Sequence, residues 1–259
     1  MPTTEDFAAA KERTLTDIRQ SCQRVIQAEI DLIGRQLTSN GIDLLTGRAE
    51  LASTTRVDLV RAHAREQIEA DHIVIAVGTT PSRAAGVPFD TQNVLTSDEL
   101  LGLPSLPKSM IIVGGGVIGT EYASMLSVLG VKVTLVEGRT RLLDFVDAEI
   151  IEALQYHLRQ GGMTLRMGEK VVSIRTIEPP PGAKASDGIM VEAMLESGKS
   201  LRADALLYCI GRQGSTDGLN LSAAGLCADD RGRITVNRDF QTTVPNIYAV
   251  GDVIGFPSL

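Results

Sequence analysis

SMIIVGGGVIGTEYASMLSVLGVKVTLVE, Ser109 to Glu137, is the stretch whose reading decides the fold. Met110–Val113 is a short apolar, β-branched run, which reads as a buried strand. Val117–Leu129 then places Ile118, Tyr122, Met125, Leu126 and Leu129 on one face at helical spacing, and Gly130 stands where a helix would stop. Val131–Val136 is a second strand. Between the first strand and the helix lie Gly114, Gly116 and Gly119 in the order G-x-G-x-x-G. Taken alone that spacing is a weak signal; between a buried strand and an amphipathic helix it has a mechanism. Gly114 permits the tight turn, Gly116 lets a pyrophosphate approach the backbone, and Gly119 lets the helix lie close to the strand. The first amides of the helix, at Val117 and Ile118, then point free N–H groups and a positive dipole at the anion.

Glu137 ends the second strand at about the spacing where an acid accepts from the adenosine ribose hydroxyls, which favours NAD. A solvated acid after a strand is the plainer alternative. Arg139 and Arg141 follow at once, and either guanidinium could pair with a ribose 2′-phosphate. The site is therefore expected to prefer NAD while tolerating NADP, although surface arginines often bind nothing.

Outward from this unit the pattern stays α/β. Thr14 to Leu37 reads as a helix, with Leu15, Ile18, Cys22, Val25, Ile26, Ile30 and Ile33 at steps of three or four. Extended stretches are expected at Asp43–Leu51 and Val57–Arg61. Ala70–Val77 (ADHIVIAV) is apolar enough to predict an interior strand covered on both sides. A connector punctuated by Pro81, Pro88, Pro104 and Pro107 leads into the glycine-loop region. Beyond it come a helix over Asp147–Gln160, a surface loop over Glu178–Gly188 (EPPPGAKASDG), and strands over Ala203–Ile210 and Asn246–Val250. Alternating β and α elements with buried strands predict a doubly wound, Rossmann-like sheet.

Composition excludes several classes. The 259 residues carry 25 Lys+Arg against 32 Asp+Glu, a net charge of −7, which argues against a nucleic-acid binder. No apolar run is long enough for a membrane span, and the acidic start lacks a signal peptide's order, so a soluble, cytoplasmic protein is expected. Cys22, Cys209 and Cys227 are too far apart for a CxxC site or a disulfide framework, and Cys209 reads as core. His63, His72 and His157 have no ligand-spaced partners, so no metal site is expected. HExxH, GxSxG and Walker motifs are absent.

Four motifs in order, HIVIAVGTTP (His72–Pro81), IIVGGGVIGTEYA (Ile111–Ala123), LLYCIGR (Leu206–Arg212) and TTVPNIYAVGD (Thr242–Asp252), resemble the FAD-dependent pyridine nucleotide–disulfide oxidoreductase family. Within it, EIIEALQYHLRQGG (Glu149–Gly162), GRQGSTDGL (Gly211–Leu219) and GDVIGFPSL (Gly251–Leu259) are similar to the soluble pyridine nucleotide transhydrogenases. The resemblance implies an NAD(P)-binding domain, residues 104–213, inserted into an incomplete FAD-binding domain made of residues 1–103 and 214–259. It implies that Asp252 holds a ribityl hydroxyl of FAD, that Gly251 lets the cofactor pass, that the Ala49 main chain meets the adenine, and that Gly78 and Thr79 line the same cofactor. It adds Glu121, facing the nicotinamide carboxamide, and Gly211 to the NAD(P) contacts.

The implied activity is hydride transfer between NADPH and NAD through FAD. A dihydrolipoamide dehydrogenase-like disulfide reductase and a non-catalytic dinucleotide-binding module are the alternatives. Family members carry a first glycine loop for FAD, a redox cysteine region and a dimerisation domain that have no counterpart here. The chain is thus expected to be an internal piece of a homodimeric or larger enzyme, unable alone to retain FAD.

Overall fold

The computed structural model describes residues 4–90, 92–178 and 188–255. In chain order it contains helix α1 (Thr4–Ser39), strands β1 (Arg48–Leu51), β2 (Arg56–Arg61), β3 (Ala64–Glu69), β4 (Ile73–Ile75), β5 (Thr79–Pro81), β6 (Val94–Leu95) and β7 (Ser109–Val113). Then follow α2 (Val117–Val128), β8 (Lys132–Glu137), α3 (Ala148–Gln160), β9 (Thr164–Met167), β10 (Val171–Ile177), β11 (Met190–Leu195), β12 (Ser200–Ala203), β13 (Ala205–Tyr208), β14 (Arg212–Gly214) and β15 (Ile247–Ala249). These form two compact units, Met1–Val25 with Pro81–Gly211, and Ile26–Thr80 with Arg212–Leu259. The chain passes between them at Val25/Ile26, Thr80/Pro81 and Gly211/Arg212, and β6 belongs to the parallel sheet of the first unit.

That sheet has the order β6-β13-β7-β8-β9, with every neighbouring pair parallel. The chain runs from β7 outward through β8 to β9, then returns to β13 on the other side of β7. Strand order therefore reverses between β7 and β13, and a crevice opens at their carboxyl ends. A parallel sheet buries both faces, and the alternation along β7 shows how. Met110 and Ile112 enter one core with Ala123 and Leu126 of α2 and Ile151 and Leu158 of α3. Ile111 and Val113 enter a second core with Ile174, Val191, Ala193 and Leu195. The antiparallel sheet β10-β11-β12 supplies that second cover, so the unit is three layers thick.

Local signals set the ends of these elements. The Asp147 carboxylate caps α3 by accepting the Glu149 N–H at 3.0 Å. Gly130, at φ 76°, turns the chain from α2 into β8, where the Val131 N–H returns to the Leu126 carbonyl.

In the other unit β1, β2 and β3 form an antiparallel meander, while β4 and β15 pair in parallel over Leu51, Ile75, Ala224, Ile234, Ile247 and Val253. Two expectations are corrected here. The Ala70–Val77 run is not an interior strand: among the described residues β4 pairs with β15 alone, and Val74 is 61% exposed. Three residues in extended conformation put Ile73 and Ile75 on one side and Val74 on the other, and only one side is packed. The helix expected from Thr14 begins instead at Thr4, and Val25, Ile26, Ile30 and Ile33 on it are exposed. The expected loop at Glu178–Gly188 lies, over residues 179–187, outside the described residues. Among the described residues no helix is long and apolar enough to cross a membrane.

Candidate functional site

A cleft of about 550 Å³ lies at the carboxyl ends of β7, β8 and β13. Its floor is Val113, Val136 and Cys209, and its rim includes Gly114, Gly116, Glu137, Arg139 and Gly211. The three glycines behave differently. Gly114 has φ 108°, and a Cβ there would stand 2.5 Å from the Cys209 carbonyl oxygen. At Gly119 a Cβ would overlap the Gly114 carbonyl oxygen, so α2 could not approach the loop. Gly116 is neither strained nor crowded. It has φ −76° and ψ −172°, open to any residue, and nothing lies within 4 Å of a Cβ built on it.

Gly116 is also the N-cap of α2 and makes no side-chain cap bond. The first amides of a helix have no partner within it. An open cradle facing them has the shape and the donors that a diphosphate needs, and the residues present fit a dinucleotide.

Glu137 is buried, at 7% exposed, and its two oxygens are fully engaged. The Gly115 N–H donates to Oε2 at 2.6 Å, and the Arg139 N–H and Nε donate to Oε1 at 2.9 and 3.0 Å. Arg139 Nη2 adds a fourth bond at 3.2 Å. A carboxylate has about four acceptor sites, so a ribose hydroxyl would enter by exchange with the Arg139 side chain. Burial raises the Glu137 carboxyl, but the Arg139 bonds and then the Gly115 N–H outweigh it and hold it below the usual carboxylate range. Arg139 in turn is raised by its bonds to Glu137 and Asp144, against the opposing effect of burial.

The structure thus brings together Gly114, Gly116, Glu137, Arg139 and Gly211 around one cleft. Gly119 is buried beneath the loop, and Val117 and Ile118 form the first turn of α2. Glu121, exposed on the next turn, and Arg141, whose Nη2 donates to the Asp144 carbonyl at 2.9 Å, are outside the cleft lining. Cys209 lies in the floor, its thiol pushed up to about 12 by burial.

Sequence reasoning missed Gly138, Glu169, Lys170, Val171 and Ile210, which complete the lining. The available signal was positional: the segment follows β9, and loops at the carboxyl ends of parallel strands form the crevice. Among the described residues no cluster of three His, Cys, Asp or Glu is placed to hold a metal.

In the second unit the parallel pairing of β4 and β15 sets their following turns side by side. Gly78 (φ 65°) and Thr79 follow one strand; Gly251 (φ 73°) and Asp252 follow the other. Thr79 Oγ1 stands 3.4 Å from Asp252 Oδ2, and Arg212 donates to the Thr79 hydroxyl and carbonyl, both at 2.7 Å. That hydroxyl is the only donor meeting the Asp252 carboxylate among the described residues, which leaves acceptor capacity for a polyol hydroxyl and fits the ribityl chain of FAD. Ala49 lies on β1, opposite Leu59 on another sheet.

A parallel sheet with a glycine loop at its switch point defines the class as a dinucleotide-binding α/β fold. Comparison narrows it. The description "Pyridine nucleotide-disulphide oxidoreductase" matches residues 5–259, and the chain belongs to that family. It is 46% identical over 249 residues to a soluble pyridine nucleotide transhydrogenase of Mycobacterium bovis, covering 95% of this chain and 51% of that protein. A protein of the same description from Colwellia psychrerythraea is 42% identical over 96% of this chain and 52% of its own. Among solved structures, LpdA of Mycobacterium tuberculosis superposes with a TM-score of 0.83 at 28% identity, over 95% of this chain and 53% of that one. The HOCl-induced flavoprotein disulfide reductase RclA of Escherichia coli gives 0.73 at 29% identity, over 96% and 57%. The chain spans about half the length of the curated relatives it matches.

Proposed function

We propose that the full-length protein is a soluble transhydrogenase that moves hydride between NADPH and NAD through FAD, and that this chain is mainly its NAD(P)-binding portion. The observation that carries the reading is the open cradle at Gly116 beneath the amino end of α2. The 46% identity to a named transhydrogenase supports the reaction. The NAD(P)-binding domain is the sheet unit holding the glycine loop, corresponding to the insertion at residues 104–213, with FAD contacts in residues 1–103 and 214–259.

In this reading the amides of Gly116, Val117 and Ile118 grip the diphosphate. Glu137 accepts the adenosine ribose hydroxyls as Arg139 turns wholly to Asp144, and Arg141 steadies that acid through its carbonyl. Gly211 leaves room at the cleft edge, and Glu121 orients the carboxamide. FAD, when bound, supplies reversible two-electron chemistry between the two nicotinamides. Asp252 accepts a ribityl hydroxyl while Arg212 fixes Thr79 beside it; Gly78, Gly251 and the Ala49 main chain give the cofactor passage. Small-molecule dinucleotides are the ligands, and the full-length protein is a cytoplasmic homodimer or larger homo-oligomer that binds no nucleic acid.

The test is turnover by the full-length protein with NADPH and an NAD analogue of distinct absorbance. Steady hydride transfer is expected. A disulfide reductase is the second reading, favoured by the likeness to RclA; turnover of a disulfide substrate with no transfer between nucleotides would replace the first reading with it.

A further inference from the structure

We propose that Lys170 is the cation that receives the 2′-phosphate of NADP(H), and so sets how far the site accepts it. The inference rests on the dinucleotide reading of the cleft. The obvious candidates from sequence were Arg139 and Arg141. Arg139 lines the cleft, but its guanidinium is held by Glu137 and Asp144; Arg141 is outside the lining. Lys170 lines the same wall, is exposed, and among the described residues its ammonium has no ion-pair or hydrogen-bond partner.

Its position is fixed by backbone. The Gly168 N–H donates to the Arg139 carbonyl at 2.8 Å and the Glu169 N–H to the Glu137 carbonyl at 3.1 Å, tying this loop to the turn after β8. The Lys170 stem then lies along Gly138, with Cγ 3.2 Å from where a Cβ of residue 138 would stand. Gly138 therefore keeps a channel through which the lysine passes beside Glu137, the acid that would meet the ribose. A 2′-phosphate adds two negative charges at that ribose hydroxyl. Arg139 stays held by Asp144 when it leaves Glu137, and Glu169, the other acid in the lining, accepts the Ser197 hydroxyl at 2.9 Å. Lys170 is left as the flexible positive charge within reach, a compact ammonium suited to a phosphate approached from variable directions.

The experiment titrates NADH and NADPH, by nucleotide fluorescence, into the whole chain, its Lys170→Gln variant and its Lys170→Arg variant. Lys170→Gln should weaken NADPH about tenfold, the size of one charge-assisted bond, and leave NADH within about twofold. Lys170→Arg should keep most of the NADPH affinity, and added salt should narrow the gap between wild type and Lys170→Gln. NADPH affinity untouched by Lys170→Gln, or an equal loss for both nucleotides, overturns the assignment while the cleft reading stands. Failure of the wild-type chain to bind either nucleotide overturns both.

Discussion

A methyl group at residue 116 and one at residue 119 separate what the glycine loop does for the fold from what it does for a ligand. Gly116→Ala meets nothing within 4 Å and needs no unusual backbone, since φ −76° and ψ −172° suit alanine. Alanine is a clearly poorer N-cap than glycine but restricts the unfolded chain by a comparable amount, so the two effects offset and folding stability should change by no more than about 0.5 kcal/mol. The same methyl stands where the diphosphate would lie and holds it off the amides of α2. Losing one charge-assisted bond at about 1.5–3 kcal/mol corresponds to a loss of NADH affinity of roughly tenfold to a hundredfold. Gly119→Ala is the converse. Its methyl overlaps the Gly114 carbonyl oxygen and approaches the Cys209 Cβ at 3.3 Å, so α2 must shift, at about 1–3 kcal/mol of overpacking. Thermal unfolding followed by circular dichroism reads the first effect, and titration with NADH the second. Gly116→Ala should leave the melting temperature nearly unchanged and abolish tight binding; Gly119→Ala should lower it by several degrees. If Gly116→Ala melts as low as Gly119→Ala, or binds NADH as wild type does, the open cradle is not a phosphate site.

Glu137→Ala should weaken NADH and shift preference toward NADPH by about 1–2 kcal/mol, because a charged acceptor is lost from the ribose side. Equal affinity for both nucleotides in wild type and variant would place the ribose elsewhere. Since the Glu137 carboxyl is held below its ordinary value of 4.5, its contribution to stability is present above that pH and lost as pH falls through the lowered value. Glu137→Gln should therefore flatten the acid side of the stability profile, and an unchanged profile would show that the ion pair with Arg139 is not formed in solution. Cys209, pushed up to about 12, should stay unmodified by a thiol reagent at pH 8 while exposed Cys227 reacts. Native labelling of Cys209 as fast as Cys227, read by mass spectrometry, would contradict its place in the cleft floor.

The order β7, α2, β8 and the spacing from Gly119 to Glu137 were readable because each rests on local pattern: a buried run, a helical stripe, a glycine where a methyl would overlap a neighbour. Other features depend on partners distant in sequence. β3, at Ala64–Glu69, is largely polar and exposed, so no alternation announces it, and it is held by register with β2. The apolar run around Val74 told of strand but not of cover. Glu137 looked like a free acceptor, and nothing in its spacing showed that Arg139 and the Gly115 amide fill it. Lys170 lay hidden because its importance comes from the loop after β9 being bonded to the turn after β8, a contact that no local motif encodes. Thr79 and Asp252, 173 residues apart, meet only because β4 and β15 run in parallel.

A crystal of the chain soaked in NADH examines the cleft itself. The account requires the diphosphate against the main chain of Gly116 to Ile118 at the start of α2, with the adenosine ribose on Glu137 and the Arg139 side chain drawn toward Asp144. NADH bound at another surface, or a cleft still free of it at saturating concentration, would contradict the account.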